Sequence, residues 1–422
     1  MIGPLCREVA GGGDGPFRSI SSCLKVTPMT LSSRNIRRLA VAALMIALGT
    51  AVARAESFVH PGALHAQADF DRMKAKVDQG AQPWLDGWNM LINNPHASLK
   101  WQPRPANVVY RGKDGAGHPE NYGTLFNDAA AAYALALRWK ISSDDAYADK
   151  AVAILDAWSV TLTEINGSSD KFLASGIYGY QFANAAEILR AYKKWPEQDF
   201  RHFKTMMLNV FYPMNHDFLV RHNGAKIDHY WANWDLANMS SMIAIGILTD
   251  RRDIYNEAVD YFKHGQGNGA IEHLVWQLYP DGLGQIQESG RDQGHSTLDL
   301  ALAGAFCQMA WNQGDDLFGY QDNRLLRGIE YVAKYNLGND VPYVIYRNSD
   351  VTQDVISSNG RGDIRPIWEL LYNHYVILKR LKAPYTQMFV EKVRPEGGGG
   401  NYGSNSGGFD QLGYGTLTYT LK

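Results

Sequence analysis

The chain has 422 residues, with 41 Lys and Arg against 43 Asp and Glu, 12 His and three Cys. This near-zero net charge excludes a bulk attraction to nucleic acid, so an anionic partner has to be met by a local basic patch. With so few cysteines, we expect neither a disulfide framework nor a cysteine metal site. Aromatic residues make up 12% of the chain, a content that suits stacking on sugar rings but also large helical cores.

The first chemical signal along the chain is an export segment at residues 34–55, which read RNIRRLAVAALMIALGTAVARA. A basic start, an apolar run and a small-residue ending at Ala55 predict a secretory signal peptide cut after Ala55. The apolar run is too short for a membrane-spanning helix. Met29 would give this signal an ordinary length, so we expect it to be the true start. The predicted location is the periplasm or the medium.

From residue 66 to 382 the dominant pattern is helical, with apolar residues at spacings of three and four. About ten to twelve helices are joined by short segments rich in Gly, Pro and Asp, and no fixed repeat is visible. Helical hairpins in this number predict an all-α fold, an incomplete α/α toroid over residues 56–395, and we expect a monomer. Residues 396–422 are Gly-rich and then alternate, which predicts a tail ending in a short strand. Cys307 lies in an apolar run and is predicted to be buried and inert.

The segment QESGRDQGHS, residues 287–296, concentrates charge directly before an apolar helical run. If the helix extends back through it, Glu288, Arg291, Asp292 and His295 share one stripe. Arg has a fork of donors for a carboxylate, and His exchanges a proton near neutral pH. Two glycines, at 290 and 294, would thin the helix face for a substrate. The alternative is an ordinary surface helix pair.

A second polar segment, DHYWANWDLANMSSM, occupies residues 228–242. A helix starting near residue 229 would place His229 and Asn233 one turn apart on one face. With Tyr230, these are the catalytic candidates of this segment. The tryptophans and Asp235 are predicted to belong to the scaffold.

Two further groups of residues are candidates for binding substrate. One is a possible stripe on the helix around residues 176–188, where the structural alternative is equally good. The other combines residues 342–348 with 357–375 and would supply cations for an anionic sugar. Together with Glu288, the substrate-binding candidates are Tyr178, Gln181, Asn184, Tyr343, Arg347 and Arg361.

Four stretches taken together, HPGALHAQADFDRMK, YWANWDLANM, RRDIYNEAVDYFKHG and QESGRDQGHS, resemble the alginate lyase superfamily of toroidal polysaccharide lyases. The resemblance covers most of residues 58–382 and is closer to the family thirty-eight alginate and glucuronan lyases than to the family five mannuronan lyases. Family five carries an Asn-Asn-His-x-Tyr-Trp motif and a later Arg and Tyr. Here Tyr230 and Trp231 match, but the Asn-Asn pair is absent, the His is displaced by one, and no Tyr follows Arg291 on its helix turn.

The resemblance implies cleavage of an anionic polysaccharide, a mannuronate-rich alginate or a glucuronan, by β-elimination. Donors aimed at the uronate carboxylate stabilise the charge that develops when the C5 proton leaves, and an acid must protonate the leaving oxygen. Three assignments stay open. Arg291 with Asn184 or Asn233 would neutralise the carboxylate, His229 or His295 would be the base, and Tyr230 or Tyr178 the acid.

Two other readings of the same residues remain. An inverting glycoside hydrolase could use Glu288 with a second acid, but it needs carboxyl groups about 6.5–9.5 Å apart, and Glu288 and Asp292 would lie closer on a helix. A glycan-binding protein without catalysis could keep the groove. No cofactor is expected. A bound Ca²⁺ or Zn²⁺ stays an alternative, although no compact metal motif unites the candidate ligands.

Overall fold

The computed structural model describes residues 57–400 and 409–422. The predicted signal peptide, Met29 and the cleavage after Ala55 lie outside the described residues, as does the centre of the Gly-rich segment. In the described part of the chain, no helix is long and apolar enough to cross a membrane. Residues 57 onward form one compact unit by their internal contacts.

The described residues are mostly helical, as the sequence predicted. The helices are α1 Gln67–Asp78, α2 Trp84–Ile92, α3 Tyr122–Ser142, α4 Asp145–Thr161, α5 Lys171–Leu189, α6 Glu197–Met206, α7 Tyr212–Arg221, α8 Ala232–Leu248, α9 Arg252–His264, α10 Ile271–Leu274, α11 Gln293–Asn312, α12 Tyr320–Asn336, α13 Trp368–Tyr372, α14 Pro384–Val393 and α15 Gly415–Thr418. Short π-helical segments follow α6 and α13, at Met207–Phe211 and Asn373–Leu378.

Within residues 57–400 and 409–422 the strands are few and short, and they occur in three pairs. β1 Val108–Arg111 and β2 Glu164–Gly167 are parallel, with Val109 opposite Ile165. β3 Gln277–Leu278 and β4 Gly284–Gln285 form an antiparallel pair, as do β5 Tyr346–Arg347 and β6 Thr352–Gln353. These pairs connect helices rather than forming a core layer.

Four long helices form the inner layer of an incomplete toroid: α3 contacts α5, α5 contacts α8, and α8 contacts α11. Every residue of α8 is buried, and α5 is buried over nearly its whole length. A helix that is buried on all faces has neighbours on every side, which agrees with the central place of these two. The outer helices α4, α9 and α12 pack against their preceding inner partners. The predicted all-α toroid is confirmed.

Glycines allow the close approach of α5 and α8. A Cβ added to Gly176 would lie 2.7 Å from the carbonyl carbon of Ala237, and one on Gly179 would lie 2.2 Å from Ser241 Oγ. Neither distance is sterically possible, so both positions require glycine for helix packing.

The C-terminal segment packs against the helices instead of forming a strand. Residues predicted to alternate as a strand form α15, in which every residue is buried. Thr416 Oγ1 donates to Glu369 of α13 at 2.9 Å, and Arg72 of α1 donates to the Thr418 carbonyl at 2.7 Å. The alternation was misleading because this segment is surrounded by protein on all sides, so period two has no solvent face to match.

Candidate active site

The segment 287–296 is a turn followed by a helix start, so the predicted continuous helix is wrong. Gln287–Gly290 form a single 3₁₀ turn, and Asp292 is extended, with φ −171° and ψ 167°. Asp292 is the N-cap of α11, because its Oδ1 accepts from the backbone N–H of His295 at 2.7 Å. The sequence signal for a cap was present, since Asp is a favoured N-cap residue and the apolar helical run begins six residues later, at Leu298.

Glu288 is fully buried and caps α8 from 55 residues away. Its Oε1 accepts from the backbone N–H of Asn233 at 3.0 Å and from Asn233 Nδ2 at 2.6 Å. Beside it, Gln287 Oε1 accepts from the N–H of Ala232 at 3.1 Å. The unpaired N–H groups at a helix start carry partial positive charge, so a carboxylate is stabilised there.

Glu288 also holds Arg291. Its Oε2 lies 2.7 Å from Arg291 Nη1, and the guanidinium carbon lies 4.7 Å from the centre of the Trp231 ring. The Arg291 side chain keeps a quarter of its surface exposed. A guanidinium has five N–H donors, so its contact with Glu288 leaves others for a ligand. Trp231, which the sequence assigned to the scaffold, is therefore also the platform under this cation.

Asp292 orients His295. Asp292 Oδ2 lies 2.6 Å from His295 Nδ1 and 4.0 Å from Arg291 Nε. Burial acts to raise the pKa of Asp292, but the hydrogen bonds and charge of His295, with the charge of Arg291, outweigh it and hold the pKa below its usual value. Ionised Asp292 favours the proton on Nδ1, which leaves the lone pair on Nε2. With 37% of its side chain exposed, His295 is accessible as a base.

Helix α8 begins three residues later than the predicted start near residue 229, and this changes the positions of His229, Tyr230 and Asn233. The helix begins at Ala232 with Trp231 as its N-cap, so His229 and Asn233 do not share a helical face. His229 Nδ1 pairs with Asp350 at 2.8 Å on the surface. The buried Tyr230 hydroxyl accepts from Asn223 at 2.9 Å. The Asn233 side chain is engaged by Glu288.

Tyr178 belongs to a second cluster, built around an arginine that the sequence did not single out. Arg111, at the end of β1, donates to the Tyr178 hydroxyl at 3.3 Å. Its guanidinium carbon lies 5.0 Å from the Tyr122 ring and 5.7 Å from the Tyr178 ring. Burial raises the pKa of Tyr178, and Arg111 offsets only part of that rise. Its phenol therefore holds its proton near neutral pH. The sequence gives little local indication of this cluster: Arg111 is only recognisable as a basic residue at the end of a short strand, followed by Gly112.

Gln181 and Asn184 serve the packing of the N- and C-terminal segments. Gln181 Nε2 donates to the Phe409 carbonyl at 2.5 Å. Asn184 Oδ1 accepts from the backbone N–H of Leu64 at 2.8 Å, and Nδ2 donates to the Tyr180 carbonyl at 2.8 Å. Both side chains are buried.

Arg365 and Asp410 connect the two clusters. Buried Arg365 donates to the Gly294 carbonyl at 3.0 Å and lies 3.5 Å from Asp410. Asp410 in turn interacts electrostatically with Arg111 and Tyr178. The ion pair of Arg365 and Asp410 therefore lies between two groups. On one side is the first turn of α11, which carries His295, and on the other is the Arg111 cluster.

The remaining predicted residues lie at the edge of this region. Tyr343 donates to the Gln353 carbonyl at 2.9 Å, and burial, with Tyr279 and Asp354 nearby, raises its pKa to about 12. A Cβ on Gly290 would lie 2.4 Å from the Tyr343 hydroxyl, so this glycine allows loop packing rather than substrate approach. Arg347 is exposed, with 64% of its side chain accessible.

Arg361 stacks on a neighbouring ring and donates to backbone carbonyls. Its guanidinium carbon lies 3.9 Å from the Tyr335 ring centre, and Nε donates to the Tyr335 carbonyl at 2.8 Å. Cys307 is buried, as predicted. Among the described residues, no three His, Cys, Asp or Glu side chains are grouped so that they could hold a metal ion.

A helical toroid with an Arg–Asp–His group at the start of an inner helix is an arrangement compatible with a polysaccharide lyase, and solved structures of that class share the fold. An alginate lyase from Bacteroides ovatus is 14% identical, with a TM-score of 0.57 over 86% of this chain and 100% of the other. Alginate lyase A1-III from Sphingomonas species A1 is 12% identical, with a TM-score of 0.56 over 87% and 98%. A histidine-to-alanine variant of A1-III complexed with tetrasaccharide matches at 12% identity and a TM-score of 0.56, over 84% and 94%.

The family follows from the sequence model named Alginate lyase, which matches residues 78–341. This is more than half of the chain, and the chain belongs to the alginate lyase family of polysaccharide lyases. No curated protein sequence matches it. The resemblance predicted from the four sequence stretches is confirmed at the level of the superfamily.

Proposed function

We propose that this lyase cleaves a polyuronate, a mannuronate-rich alginate or a glucuronan, by β-elimination. The observation that carries the proposal is the Arg291–Asp292–His295 group. It combines a partly exposed cation, held by Glu288, with a partly exposed imidazole, held by a carboxylate 2.6 Å from Nδ1. In β-elimination a cation neutralises the uronate carboxylate and a base removes the proton on the neighbouring carbon, and this group contains one of each.

In the proposed reaction, Arg291 donates to the uronate carboxylate and stabilises the negative charge that spreads onto it when the C5 proton leaves. His295 Nε2 takes that proton. The C5–H electron pair forms the C4–C5 double bond, the bond from C4 to the glycosidic oxygen breaks, and that oxygen takes a proton. In mannuronate and glucuronate, H5 and O4 lie on the same side of the ring. One imidazole can then remove the first proton and return it to the leaving oxygen.

The contacts of the candidate residues support one choice for the neutraliser and one for the base. The amides of Asn184 and Asn233 are engaged by Leu64 and Glu288, so Arg291 is the proposed neutraliser. His229 pairs with Asp350 on the surface, so His295 is the proposed base. A hydrolase using Glu288 is disfavoured because that carboxylate is fully buried and holds Arg291.

The test is ultraviolet absorbance during incubation of the purified protein with polymannuronate, polyguluronate and glucuronan. Elimination creates an absorbing double bond, and hydrolysis does not. We expect a rise with polymannuronate or glucuronan. No rise with any of the three, from folded protein, would refute the proposal and make reducing-end release the next assay.

Variants then test the base. His295→Ala should lower turnover by at least about a hundredfold, the usual contribution of a general base. His216→Ala is the matched control, because His216 also pairs with a carboxylate, Glu257, and keeps 46% of its side chain exposed. Loss of activity in His229→Ala with full activity in His295→Ala would reassign the base to His229.

A further inference from the structure

A second buried acid lies next to the one that holds Arg291. Asp299, on α11 one turn beyond His295, is fully buried, and its side chain contacts Glu288. Neither carboxyl oxygen of Asp299 accepts a hydrogen bond from any N–H or O–H donor of the described residues.

Only one of these two acids has the donors that an ionised carboxylate needs. Glu288 receives the backbone and side-chain N–H groups of Asn233 and one N–H of Arg291. An ionised Asp299 would be a buried charge without a donor, in contact with a second negative charge, and such a state is strongly unfavourable. A proton shared between the two carboxyl groups removes the conflict and supplies Glu288 with another donor.

We propose that Asp299 is a positioning residue of the elimination reaction: it is a carboxylic acid in the resting protein and donates a hydrogen bond to Glu288, which holds Arg291. The part concerning the reaction rests on the function proposed above. Burial raises the pKa of Asp299 well above its usual value, the charge of Glu288 adds to the rise, and Arg291 opposes it.

The protonation of Asp299 affects how strongly Arg291 attracts the carboxylate of the substrate. The charged groups acting on Asp299 are Glu288, Arg291 and Asp292, and α8 contributes the neutral amide of Asn233 to the same contact network. An ionised Asp299 would add a negative charge beneath Arg291 and weaken its attraction for a uronate carboxylate. A protonated Asp299 fixes Glu288 without that cost, so Arg291 keeps its positive charge for the substrate.

The first experiment measures the proton without turnover. Infrared difference spectra between the wild-type protein and Asp299→Asn at neutral pH report the C=O stretch of a protonated carboxylic acid. We expect the wild type to show a band that Asp299→Asn lacks. Unchanged acid absorption, with loss of an ionised carboxylate band instead, would overturn the proposal.

The second experiment measures positioning through kcat and KM on the polyuronate that gives the absorbance rise. Asn can donate to Glu288 as the acid does, so Asp299→Asn should stay within about threefold of the wild type, whereas Asp299→Ala should lose about tenfold in kcat/KM. Cys307→Ala, a buried truncation two turns further along α11, is the matched control and should keep wild-type kinetics. Equal losses in Asn and Ala variants, or none in either, would overturn the proposal.

The two experiments separate this proposal from the proposed function. If no polyuronate yields an unsaturated product but the infrared band disappears in Asp299→Asn, the elimination reaction is refuted and the proton on Asp299 is supported. If the unsaturated product forms but the infrared band is the same in the wild type and in Asp299→Asn, the elimination reaction is supported and the proton on Asp299 is refuted. Should Asp299→Ala fail to fold, Asp299→Asn still decides the matter, because it preserves shape and hydrogen bonding.

Discussion

Replacing Asp292 by Asn should separate the stability of α11 from the chemistry of His295. Asp292 uses two oxygens for two tasks: Oδ1 caps the helix by accepting from the His295 N–H at 2.7 Å, and Oδ2 holds the His295 Nδ1 at 2.6 Å. Asn has one oxygen and one NH₂ group. It can keep the cap, and it then presents an N–H donor to the imidazole.

The magnitudes of the two effects differ widely. Asn and Asp are about equally good N-caps, and the contact of a carboxylate with a partly exposed His contributes little, so the free energy of unfolding should fall by less than about 1 kcal/mol. The imidazole, however, has to accept from the amide through Nδ1, which puts its proton on Nε2 and removes the base. In serine proteases the equivalent change of tautomer lowers kcat on the order of 10⁴-fold, so we expect at least about a hundredfold here.

The assay is the absorbance rise at substrate saturation, with urea unfolding measured on the same preparations. Asp144→Asn is the control: Asp144 caps α4 by accepting from the Ala146 N–H at 3.0 Å and is remote in sequence from the site. Activity within threefold of the wild type for Asp292→Asn would refute the orientation of His295 by Asp292. Lost activity together with several kcal/mol of lost stability would show a folding effect instead.

Three further changes test other parts of the structure. Arg291→Lys keeps the charge but loses the guanidinium fork over Trp231, so kcat/KM should fall on the order of a hundredfold. His60→Gln tests a half-buried pair in which burial acts to lower the pKa of His60, but the hydrogen bond and charge of Glu187 outweigh it and raise that pKa. Because the folded pKa is raised, the stabilisation should be present below the ordinary pKa of 6.5 and vanish as pH rises through the folded value, in urea unfolding across that range. Deleting residues 409–422 should cost more than about 4 kcal/mol in the same measurement, because it exposes the buried apolar side chains of α15 and its neighbours.

Each of these changes has its own control. Arg201→Lys alters an arginine on α6 whose side chain is 60% exposed and pairs with Glu197, and it should leave kcat/KM unchanged. An equal loss there would contradict the special place of Arg291. For the histidine, a wild-type advantage over His60→Gln that grows with pH would reverse the sign and refute the raised pKa. For the deletion, an unfolding midpoint like that of the full chain would show that the C-terminal segment does not stabilise the fold.

The sequence predicted the helical toroid because a buried inner helix leaves a clear local record. A run such as AAAAYALAL in α3 favours a helix by propensity and by its apolar character on all faces. The family motifs added to this. The C-terminal strand was wrong because a four-residue segment buried on all sides does not obey the alternation of a half-buried strand.

The candidate site was only partly predictable, since its key contacts are long-range. The motif located Arg291 and His295, but a helical period was applied across Asp292, which is extended. The capping of α8 by Glu288 joins positions 55 apart, and no local pattern reports it. The sequence pattern indicated substrate approach at Gly290, whereas the structure packs it against Tyr343. Tyr343 is distant in sequence, so no local pattern indicated this contact.

The two helix starts explain how a site for a polyanion can contain so many acids. Glu288 sits at the N-terminus of α8 and Asp292 at that of α11. Each helix end carries about half a positive charge, which compensates part of each carboxylate. The acids can therefore position Arg291 and His295 without cancelling the positive charge that a uronate requires. If Asp299 holds a proton as proposed, the third acid adds no charge at all, and the balance near Arg291 stays favourable to an anionic sugar.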